Sequence, residues 1–473
     1  MTIQPPENHA RDGHDSLHAP PRWLLWGLVA LFILAIAGGI TGVWIFRDVL
    51  RPSQQQRVMD MLPFMRAFMR GGEALPTPEL QLTSTISAMD LLNSPLEIPT
   101  STPTATAEIA ASPTAAPTQT LPPDATTLPS ATPTPTENAP LVSPTPAPTQ
   151  VGSNLPTSAR MFGFSYVRQD WNNCGPANIT MALSYFGWQE DMAAAVSYLK
   201  TDREDKNVSP IEMVNFVNEE TGVRAITRIG GDLDVLRALI ATNFPVVIET
   251  GYMFEGYDWI GHYRTLVAYD DLQQIFYIYD SFLGSGGSGE GFAESYAELD
   301  RHWQAFNRTF IVLYQQEREN ELRAVLGDLA DPTMAAEHAL ATAQEEARAN
   351  PQNSFAWFNM GTAFVRLSRY EEAAAAYDRA RQVTVPQMPW RMLWYQFGMY
   401  EAYYEVGRYD DILSLVTANL TNGGQYVEET FYWQGRAYLA QGQDNLAAES
   451  FRRALANNSH FDAAREALEA LSS

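Results

Sequence analysis

QDWNNCGPANITMALSYFG, residues 169–187, holds the one cysteine of a 473-residue chain. A lone cysteine is most often a small buried hydrophobe. Here Gly175 and Pro176 suit the first turn of a helix, and Ile179, Ala182, Leu183 and Phe186 follow at the spacing of one helical face. The pattern predicts a helix with Cys174 at its N-terminus. Unsatisfied backbone N–H groups and the positive end of the helix dipole stabilise a thiolate there, and the thiolate is the nucleophilic form of cysteine. Position alone leaves both a nucleophile and a core thiol open. A base elsewhere in the chain has to decide between them.

Downstream, MAAAVSYLK (192–200), SPIEMVNFVNEETG (209–222) and DLDVLRALIATN (232–243) read as helices, the second capped by Ser209 with Pro210 in its first turn. The pattern then switches to β-rich runs: FPVVIETGY, GHYRTLVAYDD, QQIFYIYDS and, after a loop and helix, NRTFIVLYQQ. Helices first and an antiparallel sheet second make an α+β domain. Two of the histidines lie in it, His262 and His302. His302, in AELDRHWQAF, sits on a polar helical stretch and reads as a solvated side chain. His262 opens a strand. If its hairpin turns on Asp270–Leu272, His262 and Asp280 are equidistant from Asp271 and face each other across the strands. The carboxylate then accepts the imidazole Nδ1–H and leaves Nε2 for a thiol. A structural His–Asp pair closing a strand end is the plainer account by itself; beside Cys174, a catalytic triad becomes the better one.

QDWNNCGPANITMALSYFG, GHYRTLVAYDD and FYIYDS together resemble the papain-like cysteine peptidases that process bacteriocin leader peptides after double glycine. The likeness is greatest to their stand-alone relatives with a Gln-x-x-x-x-Cys-Gly-Pro motif, and it covers most of residues 162–315, including the late GFAESYAELDRHW helix. The resemblance implies Cys174 as nucleophile, His262 as general base and acid, Asp280 as the residue orienting His262, and Gln169 as the oxyanion-hole side chain beside the Cys174 backbone N–H. Acyl transfer needs such a thiolate, proton shuttle and set of N–H donors. By residue type alone Gln169 reads as a polar loop residue. Three points depart from the family pattern: Arg264 and Thr265 stand where two apolar residues are expected, Ser281 rather than proline follows Asp280, and no ATP-binding-cassette exporter is fused. The first two bear on pocket shape, and the third removes the usual reason to infer a bacteriocin leader as substrate. GSGGSG (284–289) matches a dinucleotide fingerprint only formally, because no βαβ unit surrounds it; a mobile loop beside Asp280 is the expectation.

On the N-terminal side, a polar tail (1–22) precedes WLLWGLVALFILAIAGGITGVWIF (23–46), which carries no charge and is long enough to span a bilayer. A signal peptide is the alternative, with a shorter apolar region of about 7–15 residues. Trp23, Trp26 and Trp44 near its ends fit an aromatic interface belt. The juxtamembrane segment (47–75) includes RVMDMLPFMRAFMR, whose apolar face suits either the membrane surface or a packing partner. Residues 76–157 are rich in Pro, Thr, Ser and Ala and read as a disordered, extended stalk. The arginines after the span favour a cytoplasmic bulk, whereas a Pro/Thr stalk and the ease with which long domains translocate favour the outside. The extracytoplasmic orientation is the expectation.

The net charge of −24 argues against nucleic-acid binding, and one cysteine excludes a disulfide framework or a cysteine zinc cluster. No metal or organic cofactor is implied. With the peptidase domain set at 158–316, residues 317–473 remain, and there NSFAWFNMGTAFVRLSRYEEAAAAYDRARQVTV places Trp357, Gly361, Phe364, Tyr370, Ala373, Tyr377 and Ala380 at the offsets of a tetratricopeptide repeat. TFYWQGRAYLAQGQDNLAAESFRRALANN repeats the pattern with Gly435, Tyr438, Gly442, Ala447, Phe451 and Ala454, and residues 394–420 are a degenerate copy. These residues are packing positions of an all-α solenoid, whose concave face would bind a protein substrate or partner. The expected whole is a single-pass membrane cysteine peptidase with a repeat module. A thiol acyltransferase or amidase using the same residues, and a catalytically idle scaffold or adhesion protein, are the rival classes.

Overall fold

The computed structural model describes residues 22–69, 75–76, 86–96, 155–253, 258–384 and 387–471. The expected polar tail up to residue 21 and most of the 76–157 tract lie outside these. Helix α1 (Arg22–Trp44) is apolar, and the stretch Val29–Val49 is long and apolar enough to cross a membrane, as a membrane span or as a signal sequence. Trp23, Trp26 and Trp44 are exposed. Helix α2 (Pro52–Met61) starts with proline in its first turn, where no N–H is needed, and ends before Pro63. The Ser53 N–H and hydroxyl at its start both donate to Glu204 of the sheet-containing domain, while Met61, Leu62, Phe68 and Met69 of the expected apolar face are exposed.

One part of the 76–157 tract departs from an extended stalk. SAMDLL forms the short helix α3 (Ala88–Leu92), opened by a Ser87–Asp90 capping box. Leu91 and, before the tract, Leu75 are buried in the core of the C-terminal helices. Gln344 Nε2 donates to the carbonyls of Leu91 and Ser94, and Arg381 donates to that of Pro76. A few leucines and a cap inside a Pro/Thr-rich composition are enough to dock locally, which averages over the tract conceal.

The central domain follows in the order β1 (Ser158–Arg160), α4 (Cys174–Ser184), α5 (Met192–Leu199), α6 (Pro210–Glu220), β2 (Arg224–Arg228), α7 (Leu233–Ala241), β3 (Val246–Met253), β4 (Trp259–Asp270), β5 (Ile275–Tyr279), β6 (Phe292–Ser295), α8 (Tyr296–Gln304) and β7 (Phe310–Tyr314). Among the described residues the strands form one antiparallel sheet ordered β2-β7-β3-β4-β5-β6, with β1 also paired to β4. Side-chain alternation gives the sheet two apolar faces. Val246, Ile248, Leu266 and Val312 pack with Leu236, Leu299 and Trp303 of α7 and α8, while Val247, Ile311 and Leu313 pack with Ile179, Leu183, Met213 and Val217 of α4 and α6. Ser209 caps α6 as its sequence predicts, and Asp232 caps α7. The short strands β1 and β2 were not legible, and GFAES, expected as helix, pairs as β6 before α8 begins.

The C-terminal part is helical: α9 (Glu319–Leu326), α10 (Pro332–Ala349), α11 (Ser354–Arg366), α12 (Tyr370–Gln382), α13 (Gly398–Glu405), α14 (Tyr409–Thr421), α15 (Glu428–Ala440), α16 (Asp444–Asn457) and α17 (Asp462–Ala470). A Cβ on Gly361 would stand 2.8 Å from the Tyr377 ring, and one on Gly435 2.5 Å from the Phe451 ring, so each glycine admits an aromatic from the following helix. The same device at the same spacing in α11–α12 and α15–α16 is the internal repetition seen in sequence. Trp259 and Phe306 of the central domain stack on each other and meet Tyr395, which joins the two parts.

Candidate active site

Cys174 is the first residue of α4, with Asn173 before it making no side-chain cap, so the helix's leading N–H groups stay available near the sulfur. His262 lies on β4 and donates Nε2–H to Asp280 Oδ1 at 2.9 Å; both side chains are buried. Cys174 and the imidazole line the same cleft, and the ring favours the thiolate form of the sulfur. Two details differ from the sequence expectation. Nε2, not Nδ1, meets the carboxylate, which leaves Nδ1 for the sulfur. The hairpin is also out of the expected register: Asp270 pairs with Ile275 and Thr265 with Tyr279, with an irregularity between Leu266 and Ala268. Continued by one residue, that register sets Asp280 opposite Arg264 and diagonal to His262. A bulge adds one residue to one strand and so shifts every partner beyond it, yet a diagonal neighbour remains within reach of an imidazole.

Asp280 is held by its own turn. Its Oδ1 also accepts the N–H groups of Phe282 and Leu283 at 2.8 and 2.9 Å, and its backbone pairs with Gly284, whose φ of +125° suits only glycine. Burial works against its charge, but the His262 charge and hydrogen bond and these N–H groups outweigh it and hold its pKa at about 2. For His262 burial favours the neutral ring, and Asp280 and then Cys174 overcome this to raise the pKa to about 10. Burial would raise the Cys174 thiol; the His262 hydrogen bond and charge, the Tyr263 backbone and the Lys200 charge bring it below a free thiol. Neighbouring pKa values displaced in opposite directions describe a thiolate–imidazolium pair.

Gln169 is fixed by the residue that stands where proline was expected. The Ser281 hydroxyl donates to Gln169 Oε1 at 2.7 Å, and the Gln169 N–H donates to the Ser281 carbonyl at 3.0 Å. With Oε1 occupied, the Gln169 amide presents its NH2 group elsewhere. Asn178, one turn after Cys174, donates from Nδ2 to the carbonyls of Cys174 and Tyr263 and to Ser281 Oγ, and its Oδ1 accepts from Thr265. Sequence reasoning passed over Asn178, although a polar residue on an otherwise apolar helix face was its signal.

Arg264 is fully buried. Its guanidinium pairs with Glu294 of β6 and lies 4.6 Å from the Tyr252 ring centroid. Glu294 also meets His302 Nδ1 at 2.7 Å, so His302 is a half-buried member of this network rather than a solvated side chain. Arg264 thus replaces apolar packing behind Asp280 with a compensated charge.

A cleft of about 1200 Å³ opens over Cys174 and His262. Its walls come from three regions: the central domain, residues 47–69 after α1, and the segments 390–395 and 420–425 of the helical part. Lys206 bridges two of them, 5.1 Å from the Trp171 ring and 5.4 Å from that of Trp394. Its burial, only partly offset by Glu204, lowers its pKa to about 7. Glu249, buried in the same wall, keeps Oε2 without a hydrogen bond, and burial raises its pKa well above the carboxylate range.

No curated protein sequence matches the chain significantly. Among solved structures, a Bacillus anthracis protein assigned as a C39-like peptidase aligns at 15% identity, covering 34% of this chain and 98% of its own, with a TM-score of 0.28. The peptidase domain of Streptococcus ComA, a bi-functional ABC transporter of a quorum-sensing pathway, aligns at 16% identity, covering 33% of this chain and all of its own, with a TM-score of 0.25. Residues 161–310 match the model of the Peptidase_C39 like family, so the segment that contains Cys174, His262 and Asp280 is similar to a family of cysteine peptidases.

Proposed function

We propose that the chain is a cysteine peptidase whose nucleophile is Cys174. The observation that carries this reading is the buried His262 ring, 2.9 Å from Asp280 and lining one cleft with Cys174 at the start of α4. The Cys174 thiolate attacks a peptide carbonyl carbon, and the carbonyl oxygen takes up the displaced electron pair as an oxyanion. The Cys174 backbone N–H and the Gln169 NH2 group stabilise that charge. His262 passes its Nδ1 proton to the departing amine, leaving an acyl-enzyme. Water, deprotonated by the same nitrogen, then attacks the thioester and expels the Cys174 thiolate, which restores the starting ion pair. Asp280 holds the ring through Nε2–H in both its charged and neutral states.

In this reading α1 anchors the protein in a membrane and the bulk lies outside the cytoplasm. The cleft wall formed by residues 47–69 follows directly after α1, so the site would work on peptide segments close to the bilayer. The domain limits are 158–316 for the peptidase and 317–473 for a tetratricopeptide-repeat module that contacts protein substrate. The Gly361–Tyr377 and Gly435–Phe451 contacts support the repeat assignment. Incubating the detergent-solubilised full chain with a peptide library tests the activity: cleavage products are expected, and their absence in Cys174→Ala. Equal products from both proteins would defeat the proposal.

A further inference from the structure

Three carboxylates converge where the helical part meets the peptidase-like domain. Glu212 lies in the first turn of α6, and Glu428 and Glu429 open α15; one carboxylate oxygen from each lies within 4.8 Å of the other two. Glu428 is 2% exposed, and its Oε2 has no hydrogen-bond partner. Its Oε1 accepts from Asn458 Nδ2 at 2.7 Å, and the same amide donates to Glu212 Oε1 at 3.1 Å. The His460 N–H donates to Asn458 Oδ1, which fixes the amide with its NH2 group toward the carboxylates. Glu212 Oε2 accepts from the N–H and hydroxyl of Ser209.

None of the ion pairs found among the described residues reaches Glu212, Glu428 or Glu429. Of the charged neighbours, Asp205 adds a further negative charge, and Lys200 faces Asp205 and Cys174. The N-termini of α6 and α15 offset part of this charge, but a dipole gives a buried lone pair no partner.

We propose that Glu212, Glu428 and Glu429 bind one hard divalent cation of the calcium class, which clamps α15 to α6. The donors are oxygen only, the preference of calcium, magnesium and manganese rather than of softer metals. Ligand oxygens on opposite sides of a calcium ion stand roughly 4.6–5.2 Å apart, from bonds of about 2.3–2.6 Å. The cluster therefore needs little rearrangement to close on an ion. Because residues 420–425 line the cleft and lead directly into α15, the ion also fixes one cleft wall. The site is independent of the catalytic reading.

Chelator-stripped full chain in detergent, titrated by calorimetry with calcium, magnesium or manganese chloride, tests this. One ion per chain and a rise in melting temperature reversed by EDTA are expected. The Glu428→Gln/Glu429→Gln double variant, which removes two of the three charged ligands, should lose measurable binding. Asn458→Asp, which replaces the amide donor by a fourth carboxylate, should bind more tightly and melt lower when stripped. Absence of binding to the wild type by all three ions, or unchanged affinity in either variant, would overturn the proposal.

Discussion

Ser281 donates its hydroxyl proton to Gln169 Oε1 at 2.7 Å while accepting one from Asn178 at 3.1 Å. This short chain links helix α4 to the loop before it through the residue after Asp280, and it selects one of the two orientations of the Gln169 amide. A flipped amide would put an oxygen where a donor is needed.

Removing that selection should cost turnover rather than binding. Ser281→Ala is expected to lower kcat with KM nearly unchanged, and Gln169→Ala to lower kcat by roughly 10²–10³, the usual effect of losing an oxyanion donor. Steady-state kinetics on a short peptide decide it. A change confined to KM would place Gln169 in substrate binding instead.

The opposed shifts of Cys174 and His262 predict a wide pH range for the ion pair. The rate of iodoacetamide alkylation should reach half its maximum below the pH expected of a free thiol, and His262→Ala should move that midpoint upward. A midpoint that ignores His262 would show that the ring does not activate the sulfur.

Stability should follow the same pair. His262 titrates at about 10, above its ordinary value of 6.5, so its contribution is full below about pH 6.5 and is lost as pH rises through 10. Asp280 titrates at about 2, below its ordinary 3.8, so its contribution is present above that value and is lost as pH falls through 2. Asp280→Ala removes the partner of a buried cation and should cost about 3–5 kcal/mol near neutral pH. Urea unfolding at several pH values measures both effects; a uniform loss at every pH would contradict the assignment.

Gly261 precedes His262, and a Cβ there would stand 2.7 Å from Phe306 Cζ and 3.1 Å from the Tyr395 ring. Gly261→Ala should therefore destabilise by about 1–3 kcal/mol through overpacking. Trp394→Ala should raise KM even for short peptides, because the helical part is a wall of the cleft. If short peptides are unaffected and only protein substrates suffer, the helices act solely as a remote capture surface.

If the bulk lies outside the cytoplasm as proposed, protease added to intact cells should cut the Pro/Thr-rich tract. The contacts of Ser53 with Glu204 and of Leu91 with the helical core predict that the cut fragment stays on the membrane until urea releases it. Protection of the chain until the membrane is permeabilised would reverse the orientation.

Sequence alone determined whatever depends on neighbours along the chain. The proline and glycine after Cys174 and the apolar spacing of Ile179, Ala182 and Leu183 set a helix start, the cap at Ser209 set another, and the β-rich run GHYRTLVAYDD set a strand; these are local backbone and burial preferences. His262 and Asp280 were legible as partners because both lie on one hairpin. Their register and the ring nitrogen used were not, since the irregularity near Val267 depends on how β4 meets β1, β3 and β5 together. Only the tertiary structure decided that Arg264 is neutralised by Glu294, that Ser281 holds Gln169, and that residues 47–69 and 390–395 close the cleft. Each joins side chains from separate elements, and their meeting is fixed by the packing of whole layers, which local spacing does not encode.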